Sequence, residues 1–336
     1  MKFLNNKLIR ILLVAGATLL IAGGLFAMLG PGSSTGSGDR KVTLEIEPGT
    51  GVKKLTEKLS EEKLIRNPAY FRFLMRFTSS GQVKAGIYEI DDGMSAGRII
   101  SMVTSGKVKL VSVTVPEGWN NRQIAAELVR RGLAKTPEEF LRLTEDPIVL
   151  KKYNIPAKTT EGYLFPETYS VPIGYPLASF QEQMLKQFFR KIKDAEPPEG
   201  LTADQLHEKV ILASIVEREA VRRDELAIMA QVFLNRLDKR MRLESCATVQ
   251  YLFDKPHKKL YDRDLEIQSP YNTYLHRGLP PGPISSPGIP ALKAAFHPTA
   301  TDTLFFVLKP DGSHHFSKTF KEHNQAKEEF LGGRRI

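Results

Sequence analysis

Cysteine is almost missing from this chain of 336 residues. Cys246 stands alone, so no intrachain disulfide can form, and neither a CxxC metal site nor a redox pair exists. Histidine arrangements of the metal-binding kind are missing too. His207-Glu208 is not followed by a second histidine at the HExxH distance, and His314, His315 and His323 lack the spacing of a metal site. No metal and no cofactor is therefore expected. Zinc-finger spacing, an aromatic–basic RNA pattern and a dominant basic block are all absent, so nucleic acid is not an expected partner. Nor is there an acidic excess: 48 Lys and Arg stand against 38 Asp and Glu, a formal net charge of +10. Such a balance favours anionic partners, either anionic lipid or an acidic polymer such as cell wall. With 41% hydrophobic and 26% charged residues the chain is of ordinary globular composition, long enough for two or three domains with cores of their own.

One stretch carries no charge at all. Residues 11–29, ILLVAGATLLIAGGLFAML, are long enough to cross the hydrocarbon layer as one helix. Lys2, Lys7 and Arg10 precede it, so the positive-inside rule makes residues 1–10 a cytoplasmic tail and puts everything beyond Gly30 across the membrane. A cleaved signal peptide is the competing reading. Its apolar core is usually shorter and ends at small residues, whereas this run continues to Leu29, which favours a retained single-pass anchor. No cysteine follows the run, which argues against a lipoprotein. Residues 30–41 open with GPGSSTGSGD, a flexible linker.

An internal repeat follows. Val42-Thr-Leu-Glu-Ile46 alternates apolar and polar residues as a strand does, Pro48-Gly49 turns the chain, and Val52, Leu55, Leu59 and Leu64 keep helical spacing. Asn67-Pro68 opens a second helix, with Asn as cap and Pro at its first position. A shift of 69 residues repeats the pattern: Val111, Val113 and Val115 match Val42, Leu44 and Ile46, and Gly118 matches Gly49. Ile124, Leu128 and Leu133 match the helical leucines, Thr136-Pro137 matches Asn67-Pro68, and Phe140 and Leu143 match Phe71 and Leu74. Two strand–helix–helix copies are expected at about 42–77 and 111–146, each needing more chain to cover its apolar faces. The first continues into a strand at 85–90 and a helix near 95–104, the second into a strand-like stretch at 161–169 and a helix over 177–194. The expected fold class is α+β.

Farther on, Thr202-Ala-Asp-Gln205 is a capping box that opens a helix running to about Glu219–Val221, and Asp224 starts another. Its apolar run Val210–Val216 leads straight into two carboxylates, Glu217 and Glu219. Burial next to such a run raises a carboxyl group's pKa and keeps it a proton donor near neutral pH. Glu219 follows Leu212, Ile215 and Val216 by seven, four and three residues; Glu217 follows Val210 and Ala213 by seven and four. The two lie about 200° apart around the axis, and periodicity does not choose between them. Paired exposed acids at a helix end, near Arg218, Arg222 or Arg223, is the bland alternative. Leu226, Met229, Ala230, Phe233 and Leu237 share one face of that second helix, and beyond it the chain is loop-rich, apart from a strand at 304–308.

At this point a resemblance becomes specific. Ala213-Ser-Ile-Val-Glu-Arg-Glu219, Val232-Phe-Leu-Asn-Arg-Leu237, Met241-Arg-Leu243, Tyr271-Asn-Thr-Tyr274 and Gly278-Leu-Pro-Pro-Gly-Pro-Ile-Ser-Ser-Pro-Gly288 resemble the MltG/YceG-like endolytic murein transglycosylases. Glu161-Gly-Tyr-Leu-Phe-Pro-Glu-Thr-Tyr169 and Gly312-Ser-His-His-Phe-Ser…Glu322-His-Asn324 fit the same family, and the likeness covers nearly the whole chain. It implies a bacterial inner-membrane protein with one N-terminal transmembrane helix, a LysM-like module and a mixed α/β catalytic domain that cleaves nascent glycan strands. The second acid of the family's E-x-E segment is its catalytic glutamate, which maps onto Glu219. The resemblance further implies peptidoglycan glycan strands as substrate and peptidoglycan synthases as partners. One departure stands out: Cys246-Ala247 precedes Thr248-Val249 where many members have Asp-Pro.

The expected reaction breaks the MurNAc–GlcNAc β-1,4 bond with a single acid. Glu219 protonates the bridging oxygen, then accepts the proton of the muramic acid C6 hydroxyl, leaving a 1,6-anhydroMurNAc end without consuming water. A hydrolase would need a second carboxylate. Candidate supporting or sugar-binding residues are Glu217, Asn235, Tyr271, Asn272, Thr273, Glu161 and Tyr169; each also has a plain structural reading, as helix ties, turns or backbone ligands. Trp119 could stack on sugar or simply pack. The expected division is a 42–110 LysM-like module, a 111–200 second repeat with the connecting part, and a 201–336 catalytic core. Two other functions stay open: a non-catalytic wall-binding scaffold of the elongation machinery, and a lysozyme-like hydrolase. An aminodeoxychorismate lyase would need pyridoxal phosphate and a cytoplasmic Schiff-base lysine, which the expected topology and the lack of a phosphate cradle disfavour.

Overall fold

The structure, a computed structural model, describes residues 11, 13–19, 35–47, 49–78, 82–106, 110–254 and 260–332. Of the expected membrane span 11–29, residues 11 and 13–19 are helical, with Ile11, Leu13, Val14 and Leu19 exposed. The rest of that span, the 1–10 tail and residues 30–34 of the linker lie outside the described residues. Among the described residues no helix is long and apolar enough to cross a membrane. The chain divides into two units, one reaching to Val111 and including Pro172–Tyr175, the other comprising Ser112–Val171 and the chain from Pro176 onward.

In the first unit β1 (Lys41–Ile46) pairs antiparallel with β2 (Gly86–Asp91), in a register that sets Leu44 opposite Tyr88. Alternation turns Leu44 and Ile46 inward. Onto them pack Leu55 and Leu59 of α1 (Val52–Glu61), Phe71 and Met75 of α2 (Pro68–Thr78), and Ile99 and Val103 of α3 (Ala96–Ser105). The expected cap of α2 is present: Asn67 Oδ1 accepts from the amides of Ala69 and Tyr70, both at 3.0 Å.

The second unit opens with the second copy of the same backbone. β3 (Leu110–Thr114) is followed by α4 (Asn121–Arg130) and α5 (Pro137–Thr144), and α4 has the bounds of α1 moved by the 69-residue shift. The turns agree as well. Gly49 and Gly118 have φ of 80° and 78°, and Lys63 and Gly132, which also correspond, have φ of 52° and 72°. The Leu64 amide donates to Leu59 O and the Leu133 amide to Leu128 O, each at 2.9 Å. The copies then part. The second inserts α6 (Pro147–Lys152) and a long buried loop before β4 (Thr168–Pro172), which pairs with β3.

That loop corrects one expectation. Of the expected strand at 161–169 only Thr168 and Tyr169 are strand; residues 161–167 form a turn followed by irregular chain. Gly162 sits at φ +84° with its α-carbon against Pro283, where a Cβ would lie 2.5 Å from the proline Cβ. α7 (Leu177–Lys191) runs on as a 3-10 turn to Ala195. α8 (Ala203–Glu219) and α9 (Leu226–Asp238) follow; α9 is preceded by a 3-10 turn, Arg223–Glu225, where the sequence suggested one helix from Asp224. A short α10 (Cys246–Gln250), α11 (Ile289–Phe296), the antiparallel hairpin β5 (Phe305–Leu308) with β6 (His314–Ser317), and α12 (Phe320–Leu331) complete the unit. α8 packs against α9, α10 and α11, and α12 against the hairpin. The architecture is a mixed α/β fold built from helices around small two-stranded sheets.

Candidate active site

α8 begins at its capping box: the Gln205 amide donates to Thr202 Oγ1 at 3.2 Å, and the Thr202 amide to Gln205 Oε1 at 2.9 Å. Every residue from Val210 to Val216 is buried, so this stretch of the helix is enclosed on all sides. It stops at Glu219, because Ala220 is already extended. The two acids of its last turn then part company.

Glu217 turns back into the protein. Its Oε2 accepts the amide of Gly288 at 2.9 Å, which ties the end of α8 to the start of α11. Burial pushes its carboxyl above the usual range, against the pull of the Gly288 amide, and nearby Glu117 adds to the rise.

Glu219 turns the other way, into a cavity of about 610 Å³. Its Oε1 accepts two hydrogen bonds, from Ser245 Oγ at 2.5 Å and from the Ala247 amide at 3.0 Å. Its Oε2 has no hydrogen-bond partner among the described residues. Cys246 and Tyr274 line the cavity beside it, joined Sγ to phenol oxygen at 3.1 Å. Burial raises both of those groups, with the charge on Glu219 adding to the rise. The far wall comes from the β5–β6 hairpin and α12.

Ser245 is itself fixed from below. It is 2% exposed; its amide donates to Thr273 Oγ1 at 3.0 Å, and its carbonyl accepts from Thr248 Oγ1 at 2.7 Å. Thr273 and Thr248 share a hydroxyl–hydroxyl bond of 2.8 Å. The Tyr-Asn-Thr-Tyr segment thus reaches Glu219 through Thr273 and Ser245. Asn272 is fully buried and engaged within the loop: its amide donates to Leu265 O and Ile267 O at 2.9 Å, and its Oδ1 accepts the Tyr274 amide at 3.0 Å. The ring of Tyr271 lies tilted by 44° against that of Tyr251, with centroids 5.0 Å apart.

The remaining candidates lie away from the cavity. Glu161 is 4% exposed and accepts the Asn121 amide at 3.1 Å on each oxygen and the Tyr251 hydroxyl at 3.2 Å. Burial pushes it up to about 7 despite those donors. Asn235 ties α9 to the chain ahead of β5, donating to Thr301 O at 2.8 Å and Thr303 O at 3.0 Å. Tyr169 is buried with its hydroxyl on Phe165 O at 2.7 Å. Ser286 joins its backbone to Trp119 at 2.7 Å and to Gly118 at 2.9 Å, and Ile284 donates to Ser214 Oγ at 3.0 Å, so the proline-rich stretch braces α8. Ser245 and Lys327 lie outside every motif the sequence singled out, and Tyr274 and Arg236 lie inside such motifs but were given no role there. A lone hydroxyl next to the Cys246-Ala247 departure was the only pointer to Ser245.

A chain with this geometry has relatives. The model of the YceG-like family matches residues 44–329. An endolytic murein transglycosylase of Bacillus subtilis is 32% identical over 311 residues, covering 87% of this chain and 86% of the relative. One of Streptococcus pneumoniae is 28% identical over 318 residues, covering 84% of this chain and 57% of that longer relative. A crystal structure of a yceG-like protein from Listeria monocytogenes superposes with a TM-score of 0.58 at 32% identity, covering 86% of this chain and 99% of the other.

Proposed function

This chain belongs to the YceG-like family, and on that premise we propose that it is an endolytic murein transglycosylase in which Glu219 is the general acid and then the general base. The observation that carries this reading is the asymmetry of one carboxyl group: Oε1 is held by Ser245 and Ala247, and the side chain lies in a cavity large enough for sugar. A proton on the unbonded Oε2 is the one available to the bridging oxygen of the MurNAc–GlcNAc β-1,4 bond. As that bond breaks, the carboxylate left behind accepts the proton of the muramic acid C6 hydroxyl. The C6 oxygen closes on C1, giving a 1,6-anhydroMurNAc end. Because the nucleophile belongs to the substrate, its proximity supplies part of the acceleration and no water enters.

A hydrolase needs a second carboxylate placed for water or for the sugar. Glu217 is bonded to Gly288, and Glu161 to the start of α4. Glu244 also lines the cavity, paired with Arg236 at 3.3 Å, and is the one acid from which the hydrolase reading could draw. The rest of the assignment follows the family and the sequence: a single-pass anchor at 11–29 with the N-terminus in the cytoplasm, an extracytoplasmic catalytic region, a LysM-like 42–110 module, and peptidoglycan synthases as neighbours. The helix at 13–19 and the strand-and-helix build of the first unit are what support the anchor and the module.

Mass spectrometry of the products of digested glycan strands tests the reading. Glu219→Gln is expected to lower release of anhydro-muropeptides by about 10²- to 10⁴-fold. Unchanged release would show that Glu219 is not the acid, and no release by the wild type would leave the scaffold reading standing. Reducing ends, heavier by about 18 Da for the added water, would establish a hydrolase, in which case Glu244→Gln should abolish them.

A further inference from the structure

The cavity that Glu219 enters ends on a wall whose positive charge has no counterpart among the described residues. Lys327 of α12 lines that wall and forms no ion pair there. His323, one turn earlier, also lines it, and its buried Nδ1 has no hydrogen-bond partner. Its ring stacks on Phe305 with centroids 5.2 Å apart. Burial, helped by Lys327, Arg236 and His315, pushes His323 down to about 4, so the ring is neutral. Phe320 and Leu308, 64% and 43% exposed, border the same space. A lysine and exposed apolar side chains on one wall suit a ligand with a carboxylate and short apolar side chains.

The chemistry of the proposed substrate places such a group here. In muramic acid the lactyl ether that carries the peptide leaves from C3, two carbons from the C1 where the bond breaks. Wherever Glu219 meets the bridging oxygen, the peptide must find room within one sugar ring of it.

We propose that the α12 wall is the subsite for the stem peptide of the muramic acid, with Lys327 pairing a peptide carboxylate and Phe320 and Leu308 meeting its apolar side chains. This rests on the transglycosylase reading and adds to it: strands bearing peptides with free carboxylates are the preferred substrate, and naked glycan is a poorer one. Glu219 then acts on the bond beside a peptide-bearing muramic acid.

The full-length chain in detergent is given three forms of one strand preparation: peptide-bearing, the same with its carboxylates amidated, and the same stripped of peptides by an amidase. The expected ratio of kcat/KM on peptide-bearing strands to that on stripped strands is about tenfold to a hundredfold in the wild type, the range of a hydrogen bond to a charged group. Amidation should remove most of it. Lys327→Ala should bring the ratio close to one and Lys327→Arg should keep it. A ratio near one in the wild type, or an unchanged ratio in Lys327→Ala, overturns the proposal. Binding of the same three strands to Glu219→Gln, with and without Lys327→Ala, repeats the comparison without turnover. Failure of the Glu219 reading therefore shows as continued release by Glu219→Gln, and failure of the subsite as equal binding of the three strands.

Discussion

Ser245 donates to Oε1 of Glu219 at 2.5 Å from the N-cap position of α10. A serine there ordinarily accepts an amide of its own helix's first turn. Here the Ala247 amide goes to Glu219 instead, at 3.0 Å, and the serine hydroxyl is free to donate to the same oxygen. Both bonds act on one oxygen, which fixes the rotamer of the carboxyl group and leaves Oε2 without a hydrogen-bond partner among the described residues.

On the proposed assignment of Glu219, Ser245 is a positioning residue. Hydrogen bonds to charged groups contribute about 1.5–3 kcal/mol, so Ser245→Ala is expected to lower kcat by about tenfold to a hundredfold with little change in KM. Ser245→Thr keeps the hydroxyl and should recover most of the loss. A purely structural role would show as a lower unfolding temperature with kcat intact. That pattern, or an alanine variant as fast as the wild type, would refute the positioning role.

Glu161 makes a prediction about pH. Its carboxyl is raised from 4.5 to about 7 in the folded protein, chiefly by burial. The folded state then holds a proton that the unfolded chain has lost, so stability falls as pH rises between the two values. It is greatest below about 4.5, declines through about 7, and is flat above. A shift of this size corresponds to about 3 kcal/mol. Denaturant midpoints of the wild type should fall from pH 5 to pH 8 more steeply than those of Glu161→Gln, whose side chain stays neutral throughout. Parallel curves would show that Glu161 is ionised in the native protein across the range.

How far the sequence could be read depended on where its signals were local. The 69-residue frame gave the shared helix bounds and the turn at Gly118, because each cap and left-handed residue is specified by its neighbours in the chain. The start of α8 was legible for the same reason. The choice between Glu217 and Glu219 was not, because Val210–Val216 are buried on every side and such a helix has no phase. What separates the two acids is their distant neighbours, Gly288 for one and Ser245 for the other. Gly-Tyr-Leu-Phe at 162–165 has strand-like composition but is bent by Gly162 against Pro283, a contact across 121 positions that no local pattern carries. α12 was not read from the sequence: Ala326 is its one buried side chain among the described residues, so no apolar stripe announced it.

Arg236 gives the last test, since it lines the cavity and is bonded to the segments that frame it. It is 7% exposed; its guanidinium donates to Leu304 O at 2.6 Å, Leu243 O at 2.9 Å and Arg242 O at 3.1 Å, and lies 5.0 Å from the ring of Phe305. The planar fork thereby joins α9 to the entry of β5 and to the segment that leads into Ser245. A lysine carries one ammonium on a flexible stem and does not reproduce bonds to both segments. Arg236→Lys leaves at least one of these carbonyls without a partner, at about 1–3 kcal/mol for each such group. The denaturant midpoint should fall accordingly. KM for glycan strands should rise more than kcat falls, because the hairpin wall moves while Ser245 and Ala247 still hold Glu219. A variant with wild-type stability and wild-type KM would show that the hairpin keeps its place without this arginine.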